Sequence, residues 1–176
     1  MKEIIDWLST NGIELLKVIG SLLLAGMTYS LGRITERNNK RKEKDQKTLD
    51  RFIKFLPFET VKYIFEHDFR GAFSINLIEI LDKFHEESKN PDIIFLDKKM
   101  ESFRIKLVNI TKEFKHLLAL NSSPIDKPEL VMSKIPNDYE FPDRTQFITL
   151  TNKLDQLADE IFDTYKLLIQ SAKKNL

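Results

Sequence analysis

The sequence predicts an all-α protein: one N-terminal transmembrane helix followed by a cytosolic helical bundle. Three observations predict it. Near the N-terminus lies an uncharged run, Val18–Gly32, followed at once by a dense basic cluster. After position 33 the apolar residues recur at three- and four-residue spacing, and no segment sustains the alternation of a strand. Proline and glycine punctuate these periodic stretches at their ends. The chain therefore divides into residues 1–32, the membrane anchor, residues 33–47, a basic juxtamembrane linker, and residues 48–176, the cytosolic helical domain.

The uncharged run is fifteen residues long, about 22 Å of helix, against a hydrocarbon core of about 30 Å. Extension back to Ile13 gives a full crossing of twenty residues and takes in Glu14 and Lys17. Lys17 can snorkel, and Glu14 falls near the headgroups. Trp7 and Tyr29 fall near the two boundaries, where amphipathic rings prefer to lie. A cleaved signal peptide needs a basic start and a small-residue cleavage site. Here Lys2 and Lys17 face Glu3, Asp6 and Glu14, and the run ends in Arg33, Glu36 and Arg37. A buried core helix is the other competitor, because the run is short. Arg33, Arg37, Lys40, Arg41, Lys42, Lys44 and Lys47 place the C-terminal side inside the cell, so the expected location is a bacterial inner membrane, single-pass, with the larger domain cytoplasmic. The same cations suit anionic headgroups, or form a merely solvated helix.

Ser21, Ala25, Thr28 and Gly32 are spaced 4-3-4 and share one helix stripe. Small residues let helices approach closely in lipid, so this stripe predicts self-association of the span, with Gly26 and Ser30 as a second small pair. Several copies together could line a pore.

The cytosolic elements follow in order. Leu49, Phe52, Ile53 and Leu56 end the first helix before Pro57. A short helix is expected from Glu59 to Glu66, another from about Ser74 to Glu87, ending at Asn90–Pro91. Met100, Phe103, Leu107, Ile110, Phe114 and Leu117 set a long helix from Asp97 to Leu120. Phe147, Leu150, Leu154, Leu157, Ile161 and Leu168 set another from Pro142 to Lys174, interrupted at Thr164. These two helices should pack as the heart of the bundle. Between them Asn121–Phe141 is a long loop with Pro124, Pro128 and Pro136, in which Glu129–Ile135 is a candidate extended piece.

Composition limits the chemistry. The chain has 176 residues, 41% apolar and 31% charged, with 28 Lys and Arg against 27 Asp and Glu. A net charge of +1 argues against a protein that coats duplex nucleic acid. Without cysteine there is no disulfide, thiolate metal site or thiol nucleophile. No glycine-rich nucleotide loop, HExxH pair or GxSxG elbow occurs. His67, His85 and His116 lie apart in sequence, and Asp155, Asp159, Glu160 and Asp163 read as a solvated helix face. No catalytic constellation, metal site or cofactor is therefore expected, and the protein is not expected to be an enzyme. The thirteen Phe suggest an aromatic core.

Two segments carry binding signals. HDFRGAF (His67–Phe73) combines a cation, a glycine and aromatics, although a helix C-cap at Gly71 over buried Phe69 and Phe73 explains it equally. LALNSSP (Leu118–Pro124) ends the long helix with an amide and two hydroxyls, also ordinary helix-stop chemistry. Arg104, Lys106, Lys112, Lys115 and His116 fall on the polar side of that helix.

FLDKKMESFRIKL (Phe95–Leu107), LALNSSP, NKLDQLADEI (Asn152–Ile161) and HDFRGAF together resemble the membrane-anchored ancillary effectors of type III CRISPR systems. The resemblance implies a homo-oligomeric cytosolic domain, a tetramer, that binds cyclic tetra-adenylate and acts through its membrane part on the inner membrane during infection. It supplies no ligand contacts for this chain. On physical grounds the candidates are Arg70, Arg104, Lys115, His116 and Asn121: cations for phosphate and an amide for adenine edges. An anchor whose helical domain holds a protein partner at the membrane remains the alternative, and would show an exposed apolar patch.

Overall fold

The computed structural model describes residues 2–125, 132–135 and 144–176, with side chains at Lys17 and from Gly20 onward, Pro124 and Arg144 excepted. The chain is mostly helical, as the periodicity predicts. The described residues form α1 (Lys2–Phe55), α2 (Phe58–Glu66), β1 (Ala72–Ser74), α3 (Asn76–Ser88), α4 (Lys98–Asn121), β2 (Ser123–Ile125), β3 (Met132–Lys134) and α5 (Arg144–Asn175). They fall into two units, Met1–Lys42 and Glu43–Leu176.

The first unit is α1 alone. The helix runs without a break through the basic juxtamembrane segment, residues 33–47. Alternating charge explains this: Lys40 reaches Glu36 at 2.7 Å, one turn away. Leu22, Leu23, Leu24, Met27, Tyr29, Leu31 and Ile34 are each more than half exposed. The hydroxyls of Thr28 and Ser30 beside them are satisfied within the helix. Thr28 Oγ1 donates to the carbonyls of Leu24 and Ala25 at 3.0 and 2.9 Å, and Ser30 Oγ to that of Met27 at 2.9 Å. Among the described residues no helix is long and apolar enough to cross a membrane. The first part of the expected span, together with Trp7 and Glu14, lies outside the described side chains.

The second unit is a bundle of α2–α5 and the last turns of α1. Its core takes Leu49, Phe52 and Leu56 from α1, Val61 and Ile64 from α2, and Leu77, Leu81 and Phe84 from α3. From α4 it takes Met100, Leu107, Ile110, Phe114 and Leu118, and from α5 Leu154, Leu157, Ile161 and Leu168. Helix α4 lies against both α5 and α3, and α2 packs on α5. The phenylalanines fill this core edge to face: Phe52 meets Phe84 at 5.2 Å and Phe69 meets Phe114 at 5.1 Å between ring centres. Thr164, the interruption in the α5 stripe, is buried between Ile161 and Leu168 on the same face.

A small antiparallel sheet, absent from the sequence reading, joins the two loops in the order β1-β3-β2. Phe73 and Pro124 both pair with Ser133 across it. Its strands are three residues long, too short to show alternation, and β1 and β3 are about sixty residues apart in sequence. Of the candidate extended piece Glu129–Ile135, residues 132–134 form β3, while Glu129–Val131, Pro128, Pro136 and Pro142 lie outside the described residues. In HDFRGAF the α2 cap is His67 rather than Gly71, which has an ordinary negative φ. Phe69 and Phe73 are fully buried.

Candidate ligand cleft and the predicted contact residues

The last turns of α4 and the first of α5 converge on a cleft of about 420 Å³. Apolar Leu117 and Leu150 line it with Asn121, Thr145, Gln146, Thr149 and Lys153. The Asn121 amide is oriented by its own Nδ2, which donates to the Leu117 carbonyl at 2.8 Å. Lys153 Nζ sits 3.3 Å from Glu113 on α4, an exposed pair that a stronger anion would displace at little cost. The arrangement suits a flat, apolar-faced ligand with polar edges.

The five predicted contact residues are distributed over several places rather than one. Asn121 lines this cleft. Arg70 leaves the turn after α2 and reaches α5: its guanidinium donates to Asn152 Oδ1 at 3.1 Å and lies 3.3 Å from Asp155. Arg104 lies in the interior rather than on a solvated face, 8% exposed. It donates to both Glu101 oxygens at 2.8 and 2.6 Å, and to the Ser88 carbonyl at 3.3 Å. Lys115 pairs with Asp82 of α3. His116 is exposed at the next position of α4.

Arg104 and Lys115 belong to a polar seam between α3 and α4. At its centre His85 Nε2 lies 3.0 Å from Thr111 Oγ1, whose hydroxyl donates to the Leu107 carbonyl at 2.8 Å. The Nε2–H tautomer donates here, which leaves Nδ1 buried without a partner. Burial, then the nearby Lys115 and Lys112, push the His85 pKa down to about 4 despite Asp82, so the ring is neutral. His67 is also lowered by burial; its ring stacks on Tyr63 at 4.9 Å. Tyr165 is pushed up to about 12 by the same desolvation.

A second polar joint secures the end of α1. Asp45, 4% exposed, accepts from the backbone N–H groups of Leu96 and Asp97 at 2.6 and 3.0 Å. Asp97 in turn caps α4 through Lys99 and Met100 N–H and accepts from Asn175 of α5 at 3.1 Å. Glu101 accepts the Phe95 N–H at 3.0 Å. Three carboxylates thus hold one short loop, and Arg104 is the countercharge of one of them, Glu101.

The sequence reading passed over Gln146, Thr149 and Lys153, although their 3-4 spacing on one helix face was visible. Asp45, inside a charged stretch, gave no such signal. The chain matches no family model, no curated protein and no solved structure.

Proposed function

We propose that the protein is a membrane-anchored, non-enzymatic receptor. Residues 13–32 cross the inner membrane, copies associate through the Ser21, Ala25, Thr28 and Gly32 stripe, and the second unit receives a signalling ligand on the cytoplasmic side. The observation that carries the reading is the set of exposed large apolar residues from Leu22 to Ile34. The second unit gathers most of its large apolar side chains into a core and exposes others singly, whereas from Leu22 to Ile34 the large apolar side chains are all more than half exposed and the Thr28 and Ser30 hydroxyls are bonded within the helix, as lipid requires. The sequence resemblance gives the ligand class as a cyclic oligoadenylate, cyclic tetra-adenylate for a tetramer, and the role as antiviral defence. The α4–α5 cleft is its best place, with Asn121 and Gln146 for base edges and Lys153 for phosphate.

A second reading, a scaffold for a protein partner, is favoured by one observation. Phe58 and Phe65 are 45% and 43% exposed, and Phe65 stacks on Phe162 at 4.2 Å. Titration calorimetry of the full chain in detergent with cyclic tetra-adenylate tests between the readings. Saturable heat, lost on Asn121→Ala, supports the receptor. Its absence supports the scaffold.

A further inference from the structure

We infer that α1 carries a binding site for the phosphate of an anionic phospholipid, built from Arg33 and Arg37 above Tyr29; this rests on the anchor reading and adds the lipid class to it. Arg33, Arg37 and Arg41 follow one another at four-residue intervals, so they climb one face in steps of about 6 Å and about 40°. Among the described residues none of the three forms an ion pair, whereas Lys40 beside them is neutralised by Glu36. Tyr29 is 68% exposed, and the Arg33 guanidinium lies 5.8 Å from its ring centre. Tyr29, Ser30, Arg33, Ile34 and Arg37 line an open surface concavity of about 260 Å³.

The site has the polarity of a phospholipid along the helix. Leu22, 67% exposed and eleven residues before Arg33 on nearly the same face, offers an apolar flank for an acyl chain on the membrane side of Tyr29. Tyr29 marks the boundary, where its ring prefers to lie. Arg33 and Arg37, about 6 Å apart along the axis, span one headgroup layer, which is roughly 5 to 7 Å deep. Two guanidinium forks at that depth match one phosphate. Arg41 lies a further turn out, so its share is smaller. A soluble anion would have no use for the apolar flank, which selects the lipid.

The test is native mass spectrometry of the full chain from detergent with mixed phosphatidylglycerol and phosphatidylcholine, with alkaline extraction of membranes run in parallel. The parent should retain phosphatidylglycerol preferentially. Arg33→Gln/Arg37→Gln should lower that preference roughly tenfold or more. Lys42→Gln, which removes one cation about 140° round the helix from Arg37, should leave it unchanged. All three should resist extraction. An unchanged preference in the double variant, an equal loss in Lys42→Gln, or displacement of the lipid by inorganic phosphate or duplex DNA would each overturn the site. Extraction of the parent by alkali would instead overturn the anchor reading beneath it.

Discussion

Replacing Asp45 with alanine removes one buried carboxylate and leaves two part-buried N–H groups, those of Leu96 and Asp97, without their acceptor. A hydrogen bond to a charged group contributes about 1.5 to 3 kcal/mol, and an orphaned buried donor costs about 1 to 3 kcal/mol. The Leu96 bond is short at 2.6 Å, the Asp97 bond is of ordinary length at 3.0 Å, and Asp45 is 4% exposed, so solvent replaces them poorly. The expected loss is about 3 to 4 kcal/mol, a large share of the stability of a domain this size. Asp45→Asn should be nearly as damaging. Its amide keeps one acceptor, but turns a donor toward one of the two N–H groups. The assay is urea unfolding of the full chain followed by circular dichroism, paired with amide hydrogen exchange. Exchange at Leu96 and Asp97 should accelerate in both variants, and protection in the middle of α5 should fall only with global stability. Variants within about 0.5 kcal/mol of the parent with unchanged exchange at both amides would refute the clamp.

Further outcomes follow from the same contacts. Arg104→Ala leaves Glu101 without its countercharge at a nearly buried position, and should cost about 3 kcal/mol in the same unfolding assay while ligand affinity of the folded protein holds. His85 has a pKa of about 4 in the fold and about 6.5 unfolded, so the unfolded chain binds more protons between these values and stability falls as pH drops. From about pH 7.5 to about pH 5 the loss from this group is about 2 kcal/mol, and His85→Leu should unfold with a correspondingly flatter pH dependence. Ala25→Leu/Gly32→Leu should reduce the oligomer mass by light scattering; an added Cβ at Gly32 meets nothing within 4 Å in the monomer, so any loss is intermolecular. In the proposed tetrameric receptor, Asn121→Ala, at about 1 kcal/mol in each of four subunits, should weaken cyclic tetra-adenylate binding about a thousandfold by calorimetry.

The helices were legible because each carries an apolar stripe at helical spacing. Met100, Leu107, Ile110 and Phe114 are buried as their spacing requires, and so are Leu154, Leu157 and Ile161. The sheet was not legible, since its strands are three residues long and β1 pairs with β3 from a loop about sixty residues away, while β2 and β3 pair within one loop. Charge was the least readable feature. Arg104 and Asp45 look like surface residues in sequence, because charged residues seldom lie inside. What buries them is a set of partners fifty or so residues away for Asp45, and sixteen for the Arg104 contact with Ser88. Of the ligand residues chosen from sequence, Asn121 reached a cleft because helix ends collect loops and gaps, whereas Arg70, Arg104 and Lys115 found protein partners first.

The membrane anchor is tested most directly by labelling along α1. The chain has no cysteine, so single cysteines can be placed one at a time from Ile13 to Arg41 without a background thiol. In intact membranes, a water-soluble maleimide should fail to label positions 13–32 and should label again from about Arg37 outward. Efficient labelling of Leu22, Leu24, Met27 and Leu31 in those membranes would contradict the anchor.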